Sequence, residues 1–463
     1  MNRLRVRPLH FSLGRCISKP SIIERQSYLA VMTKTQQASG QFATWRALLK
    51  NRNVRWLWVG QLISQTGEGL SKVALLWFVY DLTGSALKMT TIGILQTIPP
   101  LVFGPLAGVV LDRIPKRLAM IVIDVVRAGL LTLIPLLYMM GLLNLYSLYV
   151  LVFVTAMFSM AFGPALSSTE PLIVKEQQLT QINALDQSTM TIGQLIGPAI
   201  SGMLIATIGA QNVLFINAGT FLVSALCKLP LEVPHKVASI RSTHPMKQAL
   251  KDLKEGFTFI FVKHRLLIVL MAISSLFTLG STGFVYLLPV IGKEVLLADP
   301  VHIGWLWASL SAGILLTTMW LIMTKPLPLC HRVWVIAAAA AVVGTAALLL
   351  AGSPSLLLAA GLIALIGAGS GMVNPFVSAS LQERSPKDLL ARVFSLFNTG
   401  YLAFAMIGMT VVGWLADTYD PIVSMVTIGV VSLGAAVVTV AMIPWCYRLQ
   451  RGEKGKKRLA VAG

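Results

Sequence analysis

Twelve apolar runs, each about twenty residues long, punctuate this chain of 463 residues. They fall at 56–80, 91–110, 118–140, 145–165, 190–208 and 213–229, and again at 266–291, 301–323, 333–351, 356–379, 393–416 and 422–445. A bilayer core of about 30 Å takes roughly twenty helical residues to cross. No water reaches the backbone there, so each segment must satisfy its own amides, and a helix does this alone. Barrel strands are about ten residues long and alternate apolar with polar, a pattern these runs lack. The reading is an all-α membrane protein of twelve transmembrane helices.

Composition supports this and removes other classes. Hydrophobic residues make up 56% of the chain and charged residues 12%, where a soluble domain carries roughly 25% charged. The net charge of +20 suggests nucleic acid at first sight. In a membrane protein the same excess marks the loops that stay inside the cell, so no nucleic-acid partner is expected. Lys72 and Arg127 fall within spans, and Lys88 and Lys293 lie in loops on one side; every other Lys and Arg maps to the opposite side. This asymmetry places both termini in the cytoplasm of a multi-pass protein of the cell membrane. The same charges offer contacts to anionic lipid headgroups.

The expected organisation is a basic tail (1–53), a first six-helix bundle (54–229), a linker (230–265), a second bundle (266–446) and a basic tail (447–463). The first tail has no apolar run to serve as a secretory signal. It is Arg-rich with Glu24 as its one acid, faintly like a transit peptide; the simpler reading is an over-extended start, with Met32 the initiator. In the linker, Leu250, Leu253, Phe257 and Ile260 share one helical face after Pro245, predicting an interfacial tether.

The two bundles repeat. A shift of 211 residues carries Ser64 and Gly69 onto Ser275 and Gly280, Pro164 and Ser167 onto Pro375 and Ser378, and Gly197 and Gly202 onto Gly408 and Gly413. Parallel halves related by an axis along the membrane normal are a transporter signature, with the binding site between them near the midplane.

Within the first span, Gln61, Ser64, Gln65, Glu68 and Lys72 share one helical face. A charge near the bilayer centre costs roughly 3 kcal/mol even on insertion scales, so such a stripe faces protein or a wet cavity. Glu68 lies about 20 Å along its helix at 1.5 Å per residue, near the midplane. Desolvation there favours the neutral acid, which suits a group that takes up and releases protons. Three roles stay open for it: proton or cation coupling, a structural i, i+4 pair with Lys72, or recognition of a cationic substrate. Asn374 before Pro375, and Gln96 before Pro99 and Pro100, are further cavity candidates or plain interhelical hydrogen bonders. Asp124 and Arg127 stand at i, i+3 in the third span and are expected to pair.

Between spans two and three stand Gly108, Asp112, Arg113, Lys116 and Arg117. This segment resembles the G-x-L-x-D-R-x-x-R-[RK] loop of the major facilitator superfamily, and the chain is similar to that family over about residues 53–445. The resemblance implies two pseudo-symmetric six-helix bundles. It also implies that this loop, with Asp124 and Arg127, forms a cytoplasmic gate. The corresponding loop of the second half, 324–332, has no Asp. In the fifth span, Gly193, Gly197, Pro198 and Gly202 give a flat packing face. Their pattern resembles G-x-x-x-G-P-x-x-G-G, carried by exporters of that family, with Ser201 in place of one Gly. The run Gly60 to Glu68, and Leu185 with Gln187, resemble the drug-efflux group that includes macrolide and siderophore exporters, in which Asp often stands where Glu68 does.

Together these features predict a monomeric secondary transporter exporting a hydrophobic or amphipathic small molecule by proton antiport and alternating access. The alternatives are an importer or facilitator of a small metabolite, or a lipid flippase or receptor without ion coupling. The chain has no GxxxxGK[ST] motor motif, no CxxC among its four cysteines and no metal spacing among its six histidines. No enzyme activity, cofactor or metal is expected.

Overall fold

A computed structural model describes residues 48–111, 114–234, 265–324, 327–353, 355–386 and 389–462. The chain divides into two compact units, Met1–Asn51 and Arg52–Gly463, and the described residues of the second form twelve long helices. The first six are α1 (Arg52–Thr83), α2 (Ala86–Leu111), α3 (Lys116–Met139), α4 (Leu145–Ile173), α5 (Leu179–Ile208) and α6 (Ala210–Lys228). The second six are α7 (Arg265–Val290, continued by a π turn at Ile291–Val295), α8 (Pro300–Met323), α9 (Leu329–Ala351), α10 (Leu356–Arg384), α11 (Leu390–Thr418) and α12 (Pro421–Ala462).

Local chemistry sets several boundaries. Asn144 caps α4, its side chain accepting from the Ser147 amide while the Ser147 hydroxyl bonds back to Asn144. Asp299 caps α8 by accepting from the His302 amide, with Pro300 at the first helical position. Gly209, at φ +83°, ends α5 and opens α6 within one residue, a backbone conformation that glycine adopts without strain.

Eleven of the helices are long and apolar enough to cross a membrane. The exception, α1, has 32 residues, about 48 Å at 1.5 Å per residue; its polar stripe, not its length, sets it apart. Along α3, Leu118, Val122, Val125, Leu133 and Leu136 are exposed while Asp124 and Arg127 are buried. This inversion of a soluble helix is what a lipid-facing exterior requires. The protein is a multi-pass membrane protein with the expected all-α, twelve-helix architecture.

The halves repeat in packing as well as in sequence. In the first, α1 packs on α5 and α6, α3 on α4 and α6, and α2 on α4; in the second, α7 packs on α11 and α12, α9 on α10 and α12, and α8 on α10. Between the halves, α5 meets α8 and α11 meets α2, contacts that the same two-fold exchanges. The small residues show why. A Cβ on Gly197 would lie 2.6 Å from the Cα of Gly69 on α1, and one on Gly408 would lie 2.1 Å from the Leu279 carbonyl on α7. One on Gly202 would lie 2.6 Å from the Cα of Gly304 on α8, and one on Gly413 would lie 2.9 Å from the Cα of Leu87 on α2.

The twelfth helix does not stop at 445 but runs to Ala462, because the Lys, Arg, Glu and Leu beyond that point are good helix formers. The proposed amphipathic helix around 250–260 lies outside the described residues.

Candidate functional site

A cavity of about 520 Å³ lies between the halves, walled by α1 to α6 with Val285 of α7 and Trp307, Leu310, Ser311, Ile314 and Leu315 of α8. Four of the six residues expected in a cavity line it, Gln65, Glu68, Lys72 and Gln96, and so do Arg127 of the expected gate and Pro198 of the packing motif. Gln61 does not line it. One turn before Gln65, it is buried against Leu166 and Glu170 of α4 and Ile182, Leu185 and Asp186 of α5, where those helices close in. Asn374 does not line it either; its side-chain oxygen accepts from the Ser274 hydroxyl at 3.1 Å, tying α10 to α7. Gln96 also reaches across the halves, its Oε1 3.5 Å from the Tyr286 hydroxyl of α7.

Neither charge pairing expected within a single helix is the one observed. Glu68 forms its ion pair with Arg127 of α3, not with Lys72. Both line the cavity, and with Arg127 7% exposed and Glu68 38% the carboxylate is the more open member. Asp124 pairs not with Arg127 but with Lys228 of α6, whose ammonium lies 2.5 Å from both the Asp124 carboxylate and the Ser224 hydroxyl. Asp124 is 1% and Lys228 0% exposed. Facing helices offer each ion a partner of opposite sign in the interior, and a buried charge needs one more than a local geometry does. Aromatic rings complete the cluster: the Arg127 guanidinium stacks 3.9 Å from the Phe221 ring centroid, and Lys228 lies 4.8 Å from that of Phe162. Among the described residues, one oxygen of Asp124 and the Nε of Arg127 remain buried without a hydrogen-bond partner.

Lys72 takes a different environment. Its ammonium lies 5.6 Å from the Tyr286 ring centroid and 5.4 Å from that of Trp307, within cation–π range. The cation comes from the first half and both rings from the second.

Glycines and one serine hold this wall together. Gly193 and Gly197 press on Gln65 and Gly69, and Pro198 faces the cavity. Ser201, the departure from the exporter pattern, donates to the Leu70 carbonyl at 2.8 Å, so its hydroxyl fastens α5 to α1. Gly202 faces the other way, onto α8. Asp112 and Arg113 lie outside the described residues, and Gly108 is described only as part of α2. Lys116 donates to the Leu111 carbonyl at 2.8 Å, and Arg117 donates to that of Leu229, contacts within the first half.

At the end of the bundle opposite the start of α1, the halves are tied by polar contacts. The Asp417 carboxylate of α11 sits on the N-terminus of α2, accepting from the amides of Ala86 (2.5 Å) and Leu87 (3.3 Å) and from the Ser85 hydroxyl. Lys293 reaches Asp81 at 2.9 Å, and the Tyr80 hydroxyl bonds Glu294.

Sequence reasoning missed Lys228, Tyr286 and Trp307. Lys228 reads as a basic residue at a span end, where lysines reach the interface; nothing local marks it as buried. The two aromatics sit in apolar runs like any packing residue.

A two-bundle membrane transporter is the class defined by two six-helix bundles related by a two-fold around a largely apolar cavity that carries charged side chains. The family model of the Major Facilitator Superfamily matches residues 57–402 and 329–462, and the chain belongs to that family. It is 24% identical over 260 residues to macrolide efflux protein A of Streptococcus pyogenes, a match covering 56% of this chain and 64% of that protein. It is 26% identical over 366 residues to the multidrug efflux pump Tap of Mycolicibacterium fortuitum, covering 77% of this chain and 87% of the pump. Among solved structures it resembles the nucleoside transporter NupG with a TM-score of 0.67 at 15% identity, covering 84% of this chain and 98% of that one; this likeness is one of fold.

Proposed function

We propose that this chain is a secondary active efflux transporter of the cell membrane, exporting a hydrophobic or amphipathic small molecule by proton antiport. The carrying observation is the Glu68–Arg127 pair on the wall of the cavity between the halves. The carboxylate side is open to the cavity and the guanidinium side is buried. A proton arriving from the cavity neutralises Glu68 and frees Arg127. The freed guanidinium keeps an unpartnered Nε, and an unpartnered oxygen of Asp124 stands one turn away on α3 to receive it. Deprotonation reverses the exchange. The pair thus has two arrangements selected by one proton, as a coupled transporter needs.

The ties from Asp417, Lys293 and Glu294 close the end opposite the start of α1. With the termini in the cytoplasm, as the loop charges favour, the cavity serves the cytoplasmic side in this state. Export is favoured over import by the exporter-type glycine pattern in α5 and by relatives whose names are those of efflux proteins. The test is proton release from proteoliposomes of purified protein under an imposed pH gradient, with a macrolide and an amphipathic dye as probes. Glu68→Gln is expected to abolish probe-dependent proton movement while still binding the probe. A Glu68→Gln protein that exports with an intact pH response overturns the assignment, and wild type indifferent to any cation gradient favours a flippase or receptor.

A further inference from the structure

The charges on the cavity wall do not cancel. Of the described lining residues, three carry ionisable acid or base groups: Glu68, Lys72 and Arg127. Glu68 and Arg127 engage each other, and behind them Asp124 and Lys228 close on one another. Lys72 remains. Its side chain is open to the cavity, and its observed contacts are the faces of Tyr286 and Trp307. Rings attract an ammonium but accept none of its three N–H donors in the manner of an oxygen. No carboxylate or hydrogen-bond acceptor among the described residues meets Lys72. An uncompensated cation in a low-dielectric site gains more from an arriving anion than it would in water.

The surroundings define what else such a ligand carries. Trp307, whose ring meets Lys72, and Leu310 and Ile314 of α8, with Leu75 and Val285, line the same cavity. They suit an apolar or aromatic body and offer no second charge.

We propose that Lys72 is the specificity-determining charge of this cavity and receives a carboxylate on the substrate, so that the transported molecule is an amphipathic organic acid. This rests on the transport reading above and narrows its substrate class. A cationic drug has no equivalent anchor, because the Glu68 carboxylate is already held by Arg127. The geometry also links occupancy to movement. Lys72 belongs to the first half and its two rings to the second, so a carboxylate drawing the ammonium away loosens one contact that joins the halves.

The test is equilibrium binding to the purified full chain in nanodiscs at pH 7, using 1-pyrenebutyrate, its methyl ester and a pyrene-bearing quaternary ammonium as probes. In wild type the acid is expected to bind at least tenfold more tightly than the ester, about 1.4 kcal/mol, and more tightly than the cation. Lys72→Gln is expected to bring acid and ester within twofold of each other, and Lys72→Arg to keep most of the preference. Equal affinities of acid and ester in wild type overturn the proposal, and this comparison needs no variant to fold. A preference that persists in Lys72→Gln overturns it as well. The two readings fail separately. Proton-coupled export of the ester and the cation with no preference for the acid sinks this inference alone. Acid selectivity without any proton coupling supports it while sinking the antiport.

Discussion

Gly202→Ala is a wedge between the halves. Its Cβ would lie 2.5 Å from the Pro300 carbonyl oxygen and 2.6 Å from the Cα of Gly304. Both obstacles are backbone, so no rotamer change relieves them, and α5 and α8 must separate by close to an ångström to restore ordinary contact. Overpacking of this kind costs about 1–3 kcal/mol. The contact joins the halves in the state described here, so the cost falls on this state and spares one in which α5 and α8 part. The expected shift is therefore roughly fivefold to about 150-fold towards the alternative state. Spin labels at Leu82 and Leu297, both exposed at the tied end, report it as growth of a longer-distance population in pulsed EPR. Gly434→Ala is the control, since a Cβ there meets nothing within 4 Å. An unchanged distance distribution in folded Gly202→Ala, or the same shift in the control, would refute the assignment of this glycine to the moving interface.

Asp124→Asn leaves the ammonium of Lys228 buried without a counter-ion, a change expected to destabilise by about 3–5 kcal/mol and to lower the melting temperature in nanodiscs; adding Lys228→Met should recover most of the loss, and a double variant no better than the single one contradicts the pairing. Asp417→Ala removes the acceptor for two amides at the start of α2. A lost helix cap costs about 1 kcal/mol, here borne by the state closed at that end, so the label pair at Leu82 and Leu297 should again move apart, by a smaller population than in Gly202→Ala. Arg332 makes a two-pronged contact with Glu383, at 2.6 and 2.9 Å. Arg332→Lys keeps the charge but not the fork, and thermal stability should fall by a degree or two without loss of transport.

Helix number, span positions and the two-fold repeat were legible in the sequence because a bilayer imposes them one segment at a time. Each crossing must be long, apolar and internally hydrogen-bonded whatever its neighbours do. The stripe on α1 was legible for the same reason: Gln65, Glu68 and Lys72 have no place against lipid, and all three line the cavity. The partners of those charges were not. Spacing along one helix offered Lys72 to Glu68 and Arg127 to Asp124, whereas the fold joins Glu68 to Arg127 and Asp124 to Lys228. A helix can pair only residues within a turn or so of one another, while bundle packing brings together side chains far apart in the chain, and in the interior the better-desolvated partner wins. The same physics left Lys72 to two rings from the other half. Its i, i+4 neighbour had already been taken by a helix whose approach no local pattern records.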